Sequence, residues 1–163
     1  MDKHSVRSST REEYVEYILL AELCSYGWAK DRFVEVARTH TDAQGYDLVL
    51  ACDGVIRHVQ LKASKVGGRT RSQKINTALA AKPGGCVIWA VVDPETLHPA
   101  MYLWFGGAPG ENLPNLGEQR ARHTKGNSLG VKAIRDAIRV INKSRFTMIN
   151  TSDALFVTLF GQH

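Results

Sequence analysis

Residues 45–64 read GYDLVLACDGVIRHVQLKAS, two apolar runs on either side of Asp53-Gly54. Asp-Gly between strand-like runs is a strong two-residue hairpin signal and favours a type I′ turn. If only those two residues make the turn, Cys52 pairs with Val55, and Asp47 falls directly opposite Gln60. Opposed side chains share one face of a sheet, with Cβ atoms about 4.5–5.5 Å apart. Lys62 lies two residues beyond Gln60, so the period of two puts it on that face as well. Leu48, Leu50, Val59 and Leu61 then point to the other face, which is apolar enough to be core. An acid, an amide and an ammonium thus converge on one spot of a hairpin that is otherwise built for burial.

Upstream, an amphipathic helix is expected from about Thr10 to Tyr26. Ser9 and Thr10 are candidate capping-box residues and Gly27 a candidate stop. Glu16 shares its stripe with Leu19, Leu20 and Leu23, at i+3, i+4 and i+7. Those leucines should face the sheet, and a carboxylate on that inward edge needs a partner, for which a cation serves well. RFVEVA (32–37) supplies a first strand, CVIWAVVD (86–93) a buried strand and AMYLWF (100–105) another. GGRTRSQKINTALAAKPGG (67–85) reads as a basic loop entering a second helix, with further helices near Ser128–Asn142 and Ser152–Phe160. The expected fold is a mixed α/β domain, with a hairpin-led sheet flanked by helices.

The 163 residues suit one domain, with no repeat and no long linker. No apolar run approaches the roughly 20 residues of a membrane span, and the N-terminal residues lack the apolar run of a signal peptide. Cys24, Cys52 and Cys86 are odd in number and far apart, which points to free thiols in the cytoplasm and away from a CxxC zinc site. Trp28, Trp89 and Trp104 read as core or edge packing, and His58 is the one histidine on the Gln60 face.

Charge is distributed in blocks. Residues 1–53 carry ten acids against six Lys/Arg, whereas residues 54–92 carry seven Lys/Arg and no acid. Residues 119–145 carry eight Lys/Arg and one acid, Asp136. One-signed basic blocks favour a polyanion, because lysines and arginines that neutralise phosphates release counterions. A solvated basic face with no ligand fits the same charge pattern. Ser64, Lys65, Arg69, Arg71 and Lys74 follow the hairpin directly and are candidates for gripping a phosphate backbone.

The polar cluster suits a hard cation. Mg²⁺ takes oxygen ligands, typically one or two carboxylates with water and substrate phosphate. Asp47 and Glu16 offer charge, the Gln60 amide a neutral oxygen, and Leu61 its backbone carbonyl. Lys62 would orient or deprotonate an attacking water, or stabilise charge in the transition state.

These residues resemble the signature of the PD-(D/E)XK, or restriction-endonuclease-like, nuclease superfamily. Asp47 matches its aspartate, Gln60 takes the position of its second acid, and Lys62 matches its lysine. VEYILLAELCSYGW (15–28) is similar to the first helix of the Holliday-junction-resolvase-like branch, in which an early glutamate, here Glu16, completes the metal site. QLKAS (60–64) resembles the (E/Q)VK(T/S)S run of the same branch. The resemblance covers residues 10–93. It implies an αβββαβ core with a mixed central sheet; residues 94–163 are compatible with it and read as a C-terminal extension of strand and helices. It also implies a Mg²⁺- or Mn²⁺-dependent endonuclease acting on double-stranded or branched DNA, compatible with a homodimer. Two other readings stay open on the residues alone: a nucleic-acid-binding module on the same fold without cleavage, and a protein-interaction domain with a basic face.

Overall fold

The computed structural model describes residues 2–41 and 43–163. The Asp53-Gly54 bend is an exposed turn. Both residues have positive φ, 51° and 81°, as a type I′ turn requires. They join β2 (Leu48–Cys52) to β3 (Val55–Lys65) with Cys52 opposite Val55 and Leu48 opposite Val59. The register expected from the sequence is the one observed.

Four more strands complete the main sheet: β1 (Glu35–Arg38), β5 (Cys86–Val92), β6 (Pro99–Gly106) and β9 (Thr147–Ile149). Its order is β1-β2-β3-β5-β6-β9, antiparallel throughout except for the parallel pair β3/β5. β5 is buried along its whole length, and alternate residues serve two cores. Cys86, Ile88, Ala90 and Val92 face one layer, and Val87, Trp89 and Val91 the other.

The first layer is helical. α2 (Ser8–Ala29) presents Val15, Leu19 and Leu23, spaced four apart, to Leu48, Leu50 and Val59. α3 (Ser152–Phe160) adds Leu155, Phe156, Leu159 and Phe160 to that core. Gly27 lies inside α2 rather than ending it. A Cβ there would meet the Arg32 carbonyl oxygen at 2.5 Å, so glycine permits the chain to turn back against the helix. The capping boxes at Ser9 and Thr10 are not used: a short helix, α1 (Lys3–Val6), precedes α2 and is itself capped by Asp2.

Two expected helices are corrected. Residues 134–142 form a strand, β8 (Ile134–Asn142), not a helix. Ile134, Ile138 and Ile141 happen to fit helical spacing, but the β-branched residues pair with β4 (Ser72–Asn76) and β7 (Arg120–Arg122) in a second sheet of order β4-β8-β7. Within 67–85 there is only a 3-10 turn, Thr77–Ala81, after β4. TALAA has good helix formers, but the cap at Asn76 and Pro83 leave room for a single turn. The crossover from β3 to the parallel β5 is thus made by β4 and this turn. The second sheet covers the other face of β5, where Ile75, Leu79, Ile141 and Phe146 pack on Val87 and Trp89. Trp89 and Trp104 are buried as expected, whereas Trp28 is 75% exposed and meets Phe33 edge-on. Among the described residues no helix is long and apolar enough to cross a membrane.

Candidate functional site

The site forms where β2 and β3 part. Their ladder ends at Leu48/Val59, and Asp47 closes it with its N–H donated to the Val59 carbonyl at 2.8 Å. Its own carbonyl accepts the Thr39 N–H at 3.1 Å, which ties the residue to the end of β1. Beyond this point the N–H of Leu61 has no strand beside it on the β2 side. The Asp47 carboxylate takes that place: Oδ2 accepts the Leu61 N–H at 2.8 Å. A backbone donor that would otherwise be orphaned thereby fixes the acid.

Gln60 stands opposite Asp47, as the turn register implies, and its Nε2 donates to the same Oδ2 at 2.8 Å and to the Leu61 carbonyl at 3.5 Å. Cross-strand pairing sets Gln60 beside Val87 and Lys62 beside Trp89, so both lie on the face turned away from α2. Glu16 enters from α2 and is 9% exposed. Its carboxylate forms an ion pair with Arg38, the last residue of β1, whose guanidinium also lies 5.3 Å from the Tyr17 ring centroid. The Glu16 carboxylate, with help from the Tyr17 hydroxyl, holds Arg38 above its ordinary pKa. Ser9, Glu16, Arg38, Asp47, Gln60 and Lys62 line one cleft of about 400 Å³. Because the strands have separated, the cleft is lined from both faces of the sheet.

The structure therefore brings Glu16, Asp47, Gln60, Leu61 and Lys62 together. The sequence reading missed Arg38, since no tight turn sets the register of β1 against β2. A lone arginine at the end of a strand in an acid-rich segment was the only available signal. Among the described residues no three His, Cys, Asp or Glu side chains group as metal ligands. Any cation here would draw on the Glu16 and Asp47 carboxylates, with Glu12 and Glu13 also on the cleft wall, supplemented by an amide and a main-chain oxygen.

The candidate phosphate-gripping residues are spread more widely. Ser64 Oγ accepts the indole N–H of Trp89 at 2.8 Å, which anchors the strand end. Lys65 is paired with Asp2 at 3.2 Å. Ser64, Lys65 and Arg69 line a second cleft with Arg11 and Ser8, and both clefts reach Ala63. Arg71 is exposed, and Lys74 stands on β4 opposite Val140. His58 is held apart from the site, its Nδ1–H donated to the Pro83 carbonyl at 2.6 Å and its ring edge-on to Tyr46. No family model, curated protein or solved structure matches the chain.

Proposed function

We propose that the protein is a divalent-metal-dependent nuclease that hydrolyses phosphodiester bonds in DNA as an endonuclease. The observation that carries the reading is the convergence of Asp47, Gln60, Lys62 and Glu16 on one polar cleft. The order α2, β1, β2, β3 and a return to β5 parallel to β3 supports a restriction-endonuclease-like core, with β4 and a 3-10 turn standing in for its second helix.

The donor set fits a hard cation, because every candidate ligand is an oxygen: the Glu16 and Asp47 carboxylates, the Gln60 amide oxygen and the Leu61 carbonyl. Mg²⁺ or Mn²⁺ held there would act as a Lewis acid on a phosphoryl oxygen. Asp47 is positioned by Leu61 and needs no rearrangement to present its carboxylate to the cleft. Gln60 now donates its amide hydrogens to that carboxylate, so it contributes an oxygen only after its amide turns over. Lys62 orients or deprotonates the attacking water, or stabilises the charge that develops on the phosphate. Water adds to phosphorus and the bond to the leaving ester oxygen breaks, giving a phosphomonoester and a hydroxyl end.

Two features favour a second reading, a DNA-binding module without cleavage. Gln60 brings no charge, and Arg38 already neutralises Glu16. Plasmid nicking with Mg²⁺ or Mn²⁺ separates the two. The nuclease reading expects the wild type to cut and Asp47→Ala and Lys62→Ala to lose cleavage while still binding. Binding without cleavage by the wild type supports the module instead, and no binding at low salt removes both.

A further inference from the structure

The second sheet carries an arm. β7 and β8 pair near Ala121/Arg135 and Arg122/Ile134, and the chain between them runs out and back. His123 N–H donates to the Ala133 carbonyl and Asn127 N–H to the Val131 carbonyl, each at 2.8 Å. Asn127 organises the tip, its Oδ1 accepting the N–H groups of Leu129 and Val131 at 2.9 and 3.0 Å. Every residue from 122 to 134 is exposed. Residues 120–135 hold five Lys/Arg and no acid. The neighbouring Asp136 pairs with Arg120, and among the described residues no carboxylate pairs with Arg122, Lys125 or Lys132.

The arm is apolar where a surface ribbon is ordinarily polar. Leu129 is 84% exposed, Val131 57% and Ile134 51%, and Ile134 stands directly opposite Arg122. A two-stranded ribbon is marginal in water without a packing layer, so such a face acquires its complement from a partner. The positive charge requires that partner to be an anion, and the shape narrows it further. The major groove of B-form DNA admits a two-stranded β-ribbon, offers thymine methyls to apolar side chains, and is walled by phosphates. The major groove of duplex RNA is too deep and narrow for this.

We infer that this arm is a groove reader: it enters the major groove of duplex DNA, with Leu129 and Val131 toward the base edges and Arg122, Lys125 and Lys132 on the flanking phosphates. This rests on the nuclease reading only for what happens next. β8 runs from the arm back to Asn142, paired with Ser72, and the Lys143 N–H donates to the Arg71 carbonyl at 2.8 Å. β8 thus joins the arm at one end to the loop that follows β3 at the other, and duplex DNA held by the arm would be the substrate class of the cleft.

Binding by the intact chain tests the inference without relying on cleavage. Affinities for a DNA duplex, its single strand and the matching RNA duplex are measured across a salt series, for the wild type and for Arg122→Ala/Lys125→Ala/Lys132→Ala. The expected result is a loss of more than tenfold on duplex DNA, with the salt slope smaller by about 2–3, since each phosphate contact contributes about 0.9. Leu129→Asp should weaken duplex DNA binding at least fivefold, and methylation of guanine N7 should block binding where a minor-groove competitor does not. These residues are exposed, so thermal unfolding should match the wild type. Wild-type affinity in the triple variant overturns the inference, as does equal loss on all three nucleic acids or binding only to an acidic protein. If the wild type binds duplex DNA through the arm yet does not cut, the nuclease reading fails and the arm stands.

Discussion

The Asp47 carboxylate accepts the main-chain N–H of Leu61 at 2.8 Å, on the strand that also carries Gln60 and Lys62. One oxygen thereby does two things. It completes the hydrogen bonding of β3 where β2 has left it, and it places negative charge beside the residues proposed to handle a phosphate.

Separating those roles calls for two substitutions. Asp47→Ala orphans the Leu61 N–H and leaves the Gln60 amide without its acceptor, at a cost of about 1–3 kcal/mol. Asp47→Asn keeps an acceptor oxygen in the same place and should cost less than about 1 kcal/mol. Both should abolish nicking, because neither side chain carries a charge. Urea unfolding monitored by circular dichroism, read beside the nicking assay, checks the pair. Equal stability loss in the two variants would contradict the bond to Leu61.

Gln60→Glu puts a second carboxylate within reach of Asp47 Oδ2, where Nε2 now donates at 2.8 Å. Two adjacent carboxylates repel, and one is driven toward its protonated form. In EDTA the variant should melt several degrees below the wild type, each kcal/mol being worth about 2–4 °C at this size. Mn²⁺ should reverse the order by binding the variant more tightly. A thermal-shift titration with Mn²⁺ measures this. If the cation raises Tm equally in both proteins, residue 60 does not belong to a cation site.

How far the chain announces this arrangement depends on how local its signals are. Asp53-Gly54 is a two-residue turn, so the register of β2 against β3, and with it the meeting of Asp47 and Gln60, can be read by counting. CVIWAVV has one environment along its length and reads as a buried strand. The opposition of Arg38 to Leu48 depends on a long connection with no turn chemistry to set it, so the partner of Glu16 is invisible in the sequence. IRDAIRVIN fits both a helix stripe and a strand; only pairing with Ser72–Asn76, more than fifty residues earlier, decides between them. The basic block at 119–145 was legible as charge but not as a ribbon, because a ribbon depends on that same distant pairing.

The turn itself supplies a pH-dependent contribution. Arg32 donates to Asp53 Oδ2, and this bond holds the carboxyl below its usual range. A carboxyl depressed in the folded state adds stability above its unfolded value, about 3.9, and that stability is lost as pH falls through the folded value. Asn tolerates positive φ, so Asp53→Asn keeps the turn and removes only the charge. The Tm of the variant should lie below that of the wild type at neutral pH, and the gap should close as pH drops below about 4. A constant gap down to strong acid would assign the effect to turn geometry instead.

Arg57 offers the sharpest test of how the sheet is tied to its helical layer. Its side chain is fully buried on β3, with the guanidinium 5.2 Å from the Trp104 ring centroid. It donates to the carbonyls of Leu159, Thr158 and Gly107 at 2.8, 3.3 and 3.0 Å. Arg32 adds a bond to the Gly161 carbonyl at 2.7 Å. Two guanidinium groups thus occupy the end of α3 where its last carbonyls carry partial negative charge. Arg57→Met keeps much of the volume but leaves those carbonyls buried and unpaired, for a loss of about 2–4 kcal/mol. The loss should be localised: hydrogen exchange at residues 155–160 should accelerate well before β5 responds. α3 does not line the cleft formed by Asp47 and Lys62, so DNA cleavage by the variant should persist at any temperature where it remains folded. Uniform acceleration of exchange across both elements would mean that Arg57 supports the whole core rather than the end of this helix.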